Sequence, residues 1–140
     1  MHRGDTLLFD PDLAGVNPSV QVDPSSTPNP HLWIVLTEPQ APDFQCVIVN
    51  LTRQQPRSDN TVVLRPTDHP FINKDSVIRY GDALIVDGRD LDGFLKKHTA
   101  KGLDRCSPDL LKRILDGAIA SPFTPKKISD FCKKTLGSSL

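Results

Sequence analysis

Six short runs rich in Val, Ile and Leu, each bounded by Pro, Asp, Asn or Gly, occupy the chain up to residue 87: Asp5–Phe9, Leu32–Thr37, Gln45–Leu51, Thr61–Arg65, Ser76–Tyr80 and Asp82–Val86. Runs of this length and composition read as β-strands. Parallel neighbours need a crossover of a dozen or more residues, usually a helix, and the spacing leaves no room for helices between these runs. The expected fold is therefore mainly β with antiparallel pairing, a small barrel or curled sheet. Gly81 separates the last two runs and suits a bend or bulge in one long strand.

The first two runs are separated by Asp10–Pro30, which carries Pro11, Pro18, Pro24, Pro28 and Pro30 and no hydrophobic periodicity. A compact domain rarely keeps about twenty residues of loop unless they form a lid, a binding loop or a disordered segment.

After Asp87 the apolar spacing changes from alternating to helical. Asp90 or Asp92 is the expected cap of a short helix through Leu91, Phe94, Leu95 and His98, ending before Gly102. Ser107 is a good N-cap for a second helix, Pro108 fits its first position, and Asp109 complements its positive end. Its stripe of Leu110, Leu111, Ile114, Leu115 and Ala118 must pack on something. Thr124 and Pro125 repeat the start signal for a third helix, with Ile128, Phe131, Cys132 and Leu136 on the apolar face and Lys126, Lys127, Lys133 and Lys134 around the rest.

The 140 residues suffice for one core without disulfide or metal support. No run approaches the ~20 apolar residues of a membrane span. Acidic residues interrupt the start, Met1 to Asp10, where a signal peptide needs an apolar stretch, so a cytoplasmic location is expected. Cys46, Cys106 and Cys132 are odd in number, widely spaced and outside any zinc-type cluster, which points to reduced thiols. Formal net charge is +0, yet residues 1–92 hold seven Lys/Arg against thirteen Asp/Glu, and residues 93–140 hold ten Lys/Arg against four Asp. Neutrality thus hides an acidic body and a basic tail. The tail is the more obvious footprint for nucleic acid, although lysines on helix faces are more often simply solvated.

The order of these elements and several short motifs resemble the MazF/PemK/Kid family of toxin endoribonucleases. Arg3-Gly4-Asp5-Thr6-Leu7 is similar to the family's opening strand, and the Pro-rich loop occupies the place of its functional first loop. His31-Leu32-Trp33-Ile34-Val35-Leu36-Thr37 and Asn50-Leu51-Thr52 sit where the family has its next strand and its Pro-Val/Ile-Thr. Val77-Ile78-Arg79-Tyr80, with Asp87 eight residues after the arginine, resembles its Val-Val-Arg strand and later Ile-Asp. Ser107–Ile119 looks like its closing helix. The resemblance implies an SH3-like antiparallel β-barrel over residues 1–120, with 121–140 a basic helical extension packed on it. It further implies metal-independent cleavage of single-stranded RNA, no cofactor, a cognate antitoxin protein as partner, and a homodimer.

By the same resemblance Arg79 is the acid or phosphate stabiliser and Thr52 contacts the scissile phosphate. Asp5 matches the acidic residue of strand one. The expected RNA-binding residues are Asp5, Arg53 and, from the charge of the basic tail, Lys126, Lys127, Lys133 and Lys134. The family's aspartate two residues after the arginine is Gly81 here, with Asp82 one place later. On a regular strand Asp82 would point to the opposite face, and a bulge at Gly81 would return it. The family's arginine on the second strand is replaced by His31. Histidine, with a pKa of about 6.5, can act as an acid or base at neutral pH, and His69 in Thr67-Asp68-His69-Pro70 is a second candidate of that kind.

Each candidate has an ordinary reading beside it. His69 before Pro70 is often a turn residue, His31 a solvated residue at a strand start, Arg79 half of a surface ion pair, and Thr52 a β-branched strand residue. Trp33 reads as core or interface, and the phenylalanines fall mostly at apolar-face positions. Phosphate-binding Gly-rich loops, the G-x-S-x-G elbow and H-E-x-x-H are missing from the sequence. Three functions fit: a toxin endoribonuclease, a non-catalytic barrel that binds nucleic acid or protein, and an accessory protein whose basic helices dock a partner.

Overall fold

The computed structural model describes residues 1–10, 31–96 and 101–138. Residues 11–30 of the long loop, and His98, lie outside the described residues. The strands are β1 (Thr6–Phe9), β2 (His31–Val35), β3 (Gln45–Arg53), β4 (Val63–Leu64), β5 (Ser76–Ile78), β6 (Leu84–Asp87) and β7 (Lys101–Leu103), and the helices α1 (Gly88–Lys96), α2 (Pro108–Ala120) and α3 (Lys126–Ser138). Every ladder is antiparallel, as the short connections require. The protein is mainly antiparallel β-sheet with its helices gathered towards the carboxy-terminal end.

The sheet runs β4-β5-β3-β2-β1-β7, with β6 also pairing β3. Its end strands β4 and β7 do not pair with each other, so among the described residues the sheet stays open where a closed barrel was one of the expectations. β3 organises it. One edge of β3 pairs β2, and the other pairs β6 along Gln45–Ile48 and β5 along Leu51–Arg53. β5 and β6 are therefore two halves of one interrupted strand, as the break at Gly81 suggested. From Leu51↔Ile78 to Ile48↔Leu84, β3 advances three residues while its partner advances six. The surplus is a 3-10 turn at Tyr80–Asp82 rather than a simple bulge, and it delays the start of β6 to Leu84.

Both faces of the sheet are covered. Leu32, Ile34, Val47, Val49 and Leu51 point to one side, where they pack with Leu110, Ile114 and Ala118 of α2 and Ile128 and Cys132 of α3. Trp33, Val35, Cys46 and Ile48 point to the other, with Leu7, Phe9, Val86 and Leu91 of α1. Two buried faces explain why β2 and β3 read as nearly continuous apolar runs instead of alternating ones. All three cysteines are free and buried. Burial pushes the Cys46 thiol up to about 12 and those of Cys106 and Cys132 up to about 11. Among the described residues no helix is long and apolar enough to cross a membrane.

Ser107 caps α2 as expected, its Oγ accepting the Leu110 N–H at 3.2 Å, with Pro108 at the first position. Two other caps differ from expectation. α1 starts at Gly88, so Asp90 and Asp92 lie inside it. The residue before it does the work: Asp87 Oδ1 accepts the Arg89 N–H at 2.8 Å. Thr124 does not cap α3 with its side chain, since its buried hydroxyl has no hydrogen-bond partner, and the first turn instead closes on the Pro125 carbonyl through Ile128 and Ser129 N–H. β7 was not foreseen. It adds to the outer edge of β1, pairing Thr6 with Leu103 and Leu8 with Lys101.

Candidate functional site

Thr52 and Arg53 end β3, beside the point where β5 gives way to the 3-10 turn. Arg79 stands at that junction. Its backbone N–H donates to the Asn50 carbonyl at 3.0 Å, continuing the ladder by one residue, and its own carbonyl accepts the Asp82 N–H at 3.0 Å, closing the turn. The turn brings residues three apart to the same side. Arg79 Nε meets Asp82 Oδ2 at 3.2 Å, with both side chains about half exposed. Asp82 thus returns to the arginine despite the glycine in between.

What holds the turn is Tyr80. Its ring is fully buried under α2, and its Oη donates to the Ile114 carbonyl at 2.8 Å. Burial, the largest influence, pushes the phenol far above its ordinary value, so it remains a donor. Gly117 makes room for it, because a Cβ there would collide with Tyr80 Oη and Val62 Cγ2. A buried tyrosine flanked by exposed Arg79 and Asp82 fixes which way the pair points.

A groove of about 400 Å³ runs past this turn, lined by Thr52, Arg53, Gln55, Arg57, Ser58, Asp59, Val77, Arg79, Tyr80, Gly81, Asp82 and Phe123. It brings together four of the candidates, Thr52, Arg53, Arg79 and Asp82. Arg57 and Asp59 were not anticipated, although the polar run Gln54–Asn60, which adds Arg57 to the Arg53 that ends the strand, was a usable signal. Asp59 Oδ2 accepts the Ser121 hydroxyl at 2.6 Å, and its Oδ1 accepts the Thr61 N–H and hydroxyl at 3.0 and 2.6 Å. Burial opposes ionisation of Asp59, but these hydrogen bonds prevail and hold the carboxyl below its usual range. Asp59 is thus occupied in tying its loop to the end of α2. Among the described residues neither Arg53 nor Arg57 has an ion-pair partner, so the groove presents uncompensated positive charge.

His31 lines a second groove of about 440 Å³, with Leu32, Leu51, Thr52, Arg53, Phe71, Ile72, Asn73 and Ser76. The two grooves share Thr52 and Arg53, which form the ridge between them. His31 is therefore next to the Arg79 groove, across Thr52.

The remaining candidates lie elsewhere. His69 is 4% exposed, and both ring nitrogens are engaged: the Phe71 N–H donates to Nδ1 at 3.1 Å, and Nε2 meets the Asp104 carbonyl at 2.6 Å. This arrangement makes Nε2–H the donor and pins the turn to the segment before α2, so His69 is a structural residue and lines neither groove. Asp5 is likewise engaged, its Oδ1 2.9 Å from Arg105 Nε and its Oδ2 accepting the His2 N–H at 2.8 Å. Of the lysines, Lys126 pairs with Asp130 at 3.0 Å within α3, Lys127 and Lys133 are exposed, and Lys134 borders a separate cavity with Arg3 and Glu38. None of the four lines the Arg79 groove.

Among the described residues, no group of three or more His, Cys, Asp or Glu side chains is placed to hold a metal ion. No protein-family model matches the chain, and no curated protein matches it either.

Proposed function

We propose that the protein is a metal-independent endoribonuclease acting on single-stranded RNA at the Arg79 groove, on an SH3-like barrel of the MazF/PemK type. The observation that carries this reading is the Arg79–Asp82 pair at 3.2 Å, in the lining of a groove that also contains Thr52, Arg53 and Arg57. Attack of a ribose 2′-OH on the adjacent phosphate needs a proton acceptor, a positive group on the phosphate and a donor to the leaving oxygen. Asp82 takes the 2′-OH proton as the oxygen bonds to phosphorus. Arg79 stabilises the charge that develops on the phosphoryl oxygens, for which its planar fork is well suited. The P–O5′ bond breaks, and the departing O5′ takes a proton from His31 across the Thr52 ridge. The products are a 2′,3′-cyclic phosphate and a 5′-hydroxyl.

In this reading an antitoxin protein covers the Arg79 groove, and a homodimer is the working assembly. Expression of the protein is expected to arrest growth, and Arg79→Ala to relieve the arrest at equal protein level. Normal growth with abundant, folded wild-type protein argues against a toxin.

One observation favours a second reading, a barrel that binds RNA without cutting it. Asp5 is locked to Arg105, and His69 is consumed by structural hydrogen bonds, so one candidate of the RNA-binding surface and one acid–base candidate are engaged elsewhere. Intact RNA recovered from a stable complex with wild-type protein is the outcome that selects it.

A further inference from the structure

Burying a phenylalanine side chain is worth about 1.5–3 kcal/mol, so the sheet and helices take in most of the large apolar groups available to them. Two among the described residues stay out: Phe71 is 42% exposed and Phe123 is 64% exposed. Isolated exposed apolar residues are common and need no explanation by themselves. These two are not scattered. Phe123 lines the Arg79 groove, and Phe71 lines the His31 groove, so one stands on each side of the Thr52–Arg53 ridge.

The backbone N–H of each phenylalanine is hydrogen-bonded, which fixes where its side chain starts. The Phe123 N–H donates to Ser121 Oγ at 3.1 Å, and that hydroxyl is itself fixed on Asp59. Phe123 also lies against the catalytic turn: a Cβ on Gly81 would meet its carbonyl oxygen at 3.7 Å and its Cβ at 4.0 Å. On the other side, the Phe71 N–H donates to His69 Nδ1, which gives the buried histidine a purpose in positioning this residue. An aromatic face beside cationic groups is the surface that takes an unpaired base with its phosphate.

We infer that Phe123 and Phe71 are stacking platforms for two unpaired nucleobases of one strand, with the phosphate between them held at Arg53 on the Thr52–Arg53 ridge. The inference rests on the reading of the groove as a single-stranded RNA site and adds to it which side chains hold the bases. Bases already stacked and paired in a duplex cannot splay onto two separate platforms, so the ligand is single-stranded. Recognition at both platforms tolerates any base, because every base offers a π-face.

The test is fluorescence anisotropy with a labelled 2′-O-methyl oligouridine, which cannot be cleaved by 2′-OH attack, and an abasic phosphodiester of equal length. Wild-type protein is expected to bind the oligouridine at least ten-fold more tightly than the abasic strand. Phe123→Ala and Phe71→Ala should each weaken oligouridine binding about five- to a hundred-fold, leaving abasic binding and the log–log salt slope unchanged. Arg53→Ala should weaken both strands and flatten the salt slope. Phenylalanine variants that bind oligouridine like wild type, while Arg53→Ala binds more weakly, overturn the stacking and leave the RNA reading intact. Equal loss on both strands also overturns the stacking. If wild-type protein binds neither strand, the RNA reading fails and this inference with it.

Discussion

Arg79 Nε lies 3.2 Å from Asp82 Oδ2, two side chains that a regular strand would send to opposite faces. The contact exists because three surplus residues of the β5–β6 strand coil into a 3-10 turn against β3. Coiling is affordable there because Tyr80 buries its ring and bonds its hydroxyl to the Ile114 carbonyl at 2.8 Å. A buried tyrosine thus presents an arginine and a carboxylate together in the groove that Thr52 also lines.

Tyr80→Phe removes one buried hydrogen bond without changing shape, and is expected to cost about 0.5–1.5 kcal/mol. Gly117→Ala forces a methyl group into Tyr80 and Val62 and should cost more, about 1–3 kcal/mol, as overpacking does. Equilibrium urea unfolding checks both, through a lower midpoint at unchanged slope. A Gly117→Ala protein as stable as wild type would remove the packing argument.

His31 and His69 should separate cleanly. His69→Ala leaves the Phe71 N–H without its partner and removes one of the two donors to the Asp104 carbonyl, which keeps the Thr6 hydroxyl at 2.7 Å, and is expected to lower stability by about 1–3 kcal/mol. His31→Ala should leave folding stability within about 0.5 kcal/mol of wild type while slowing RNA cleavage. Measuring both properties for both variants decides it, and reversed effects would contradict the site assignment.

Acid stability should report on Asp59. Its carboxyl sits below the ordinary value in the folded protein, so the unfolded chain binds its proton first as pH falls. The stability from this group is present in full above the unfolded value of about 3.9 and is lost as pH drops through the lower, folded value. The denaturation midpoint of wild type is expected to fall on going below about pH 4, and that of Asp59→Asn to fall less steeply. Parallel curves for the two proteins would show that Asp59 is not linked to folding.

Much of this fold was legible because its strands are β-branched runs stopped by Pro, Asp, Asn or Gly, and because Ser107-Pro108-Asp109 announces α2 directly. Helix faces were legible too: Ile114, Ala118, Ile128 and Cys132 are all buried as their spacing required. What escaped depends on distant partners. Lys101-Gly102-Leu103 becomes a strand only because β1 offers a free edge. His69 is structural only because the Asp104 carbonyl, 35 residues away, meets its ring. Period-two reasoning left Asp82 on either face, and only the depth of the Tyr80 pocket decides that the chain turns there. Phe123 belongs to neither helix stripe, and its place beside Arg79 follows from how α2 and α3 pack on the sheet.

The central claim is that Arg79 and Asp82 perform chemistry rather than stabilise the fold. The most direct measurement is the cleavage rate of single-stranded RNA by wild type, Arg79→Ala and Asp82→Asn, with product ends identified and urea midpoints recorded alongside. An exposed ion pair contributes only about 0–1 kcal/mol to stability, so both variants should unfold close to wild type. The account predicts 2′,3′-cyclic phosphate ends from wild type and a loss of about a hundred-fold or more in rate for each variant, the scale of a missing acid–base or charge-stabilising group. Uncut RNA with wild-type protein, or wild-type rates from folded Arg79→Ala, would contradict it.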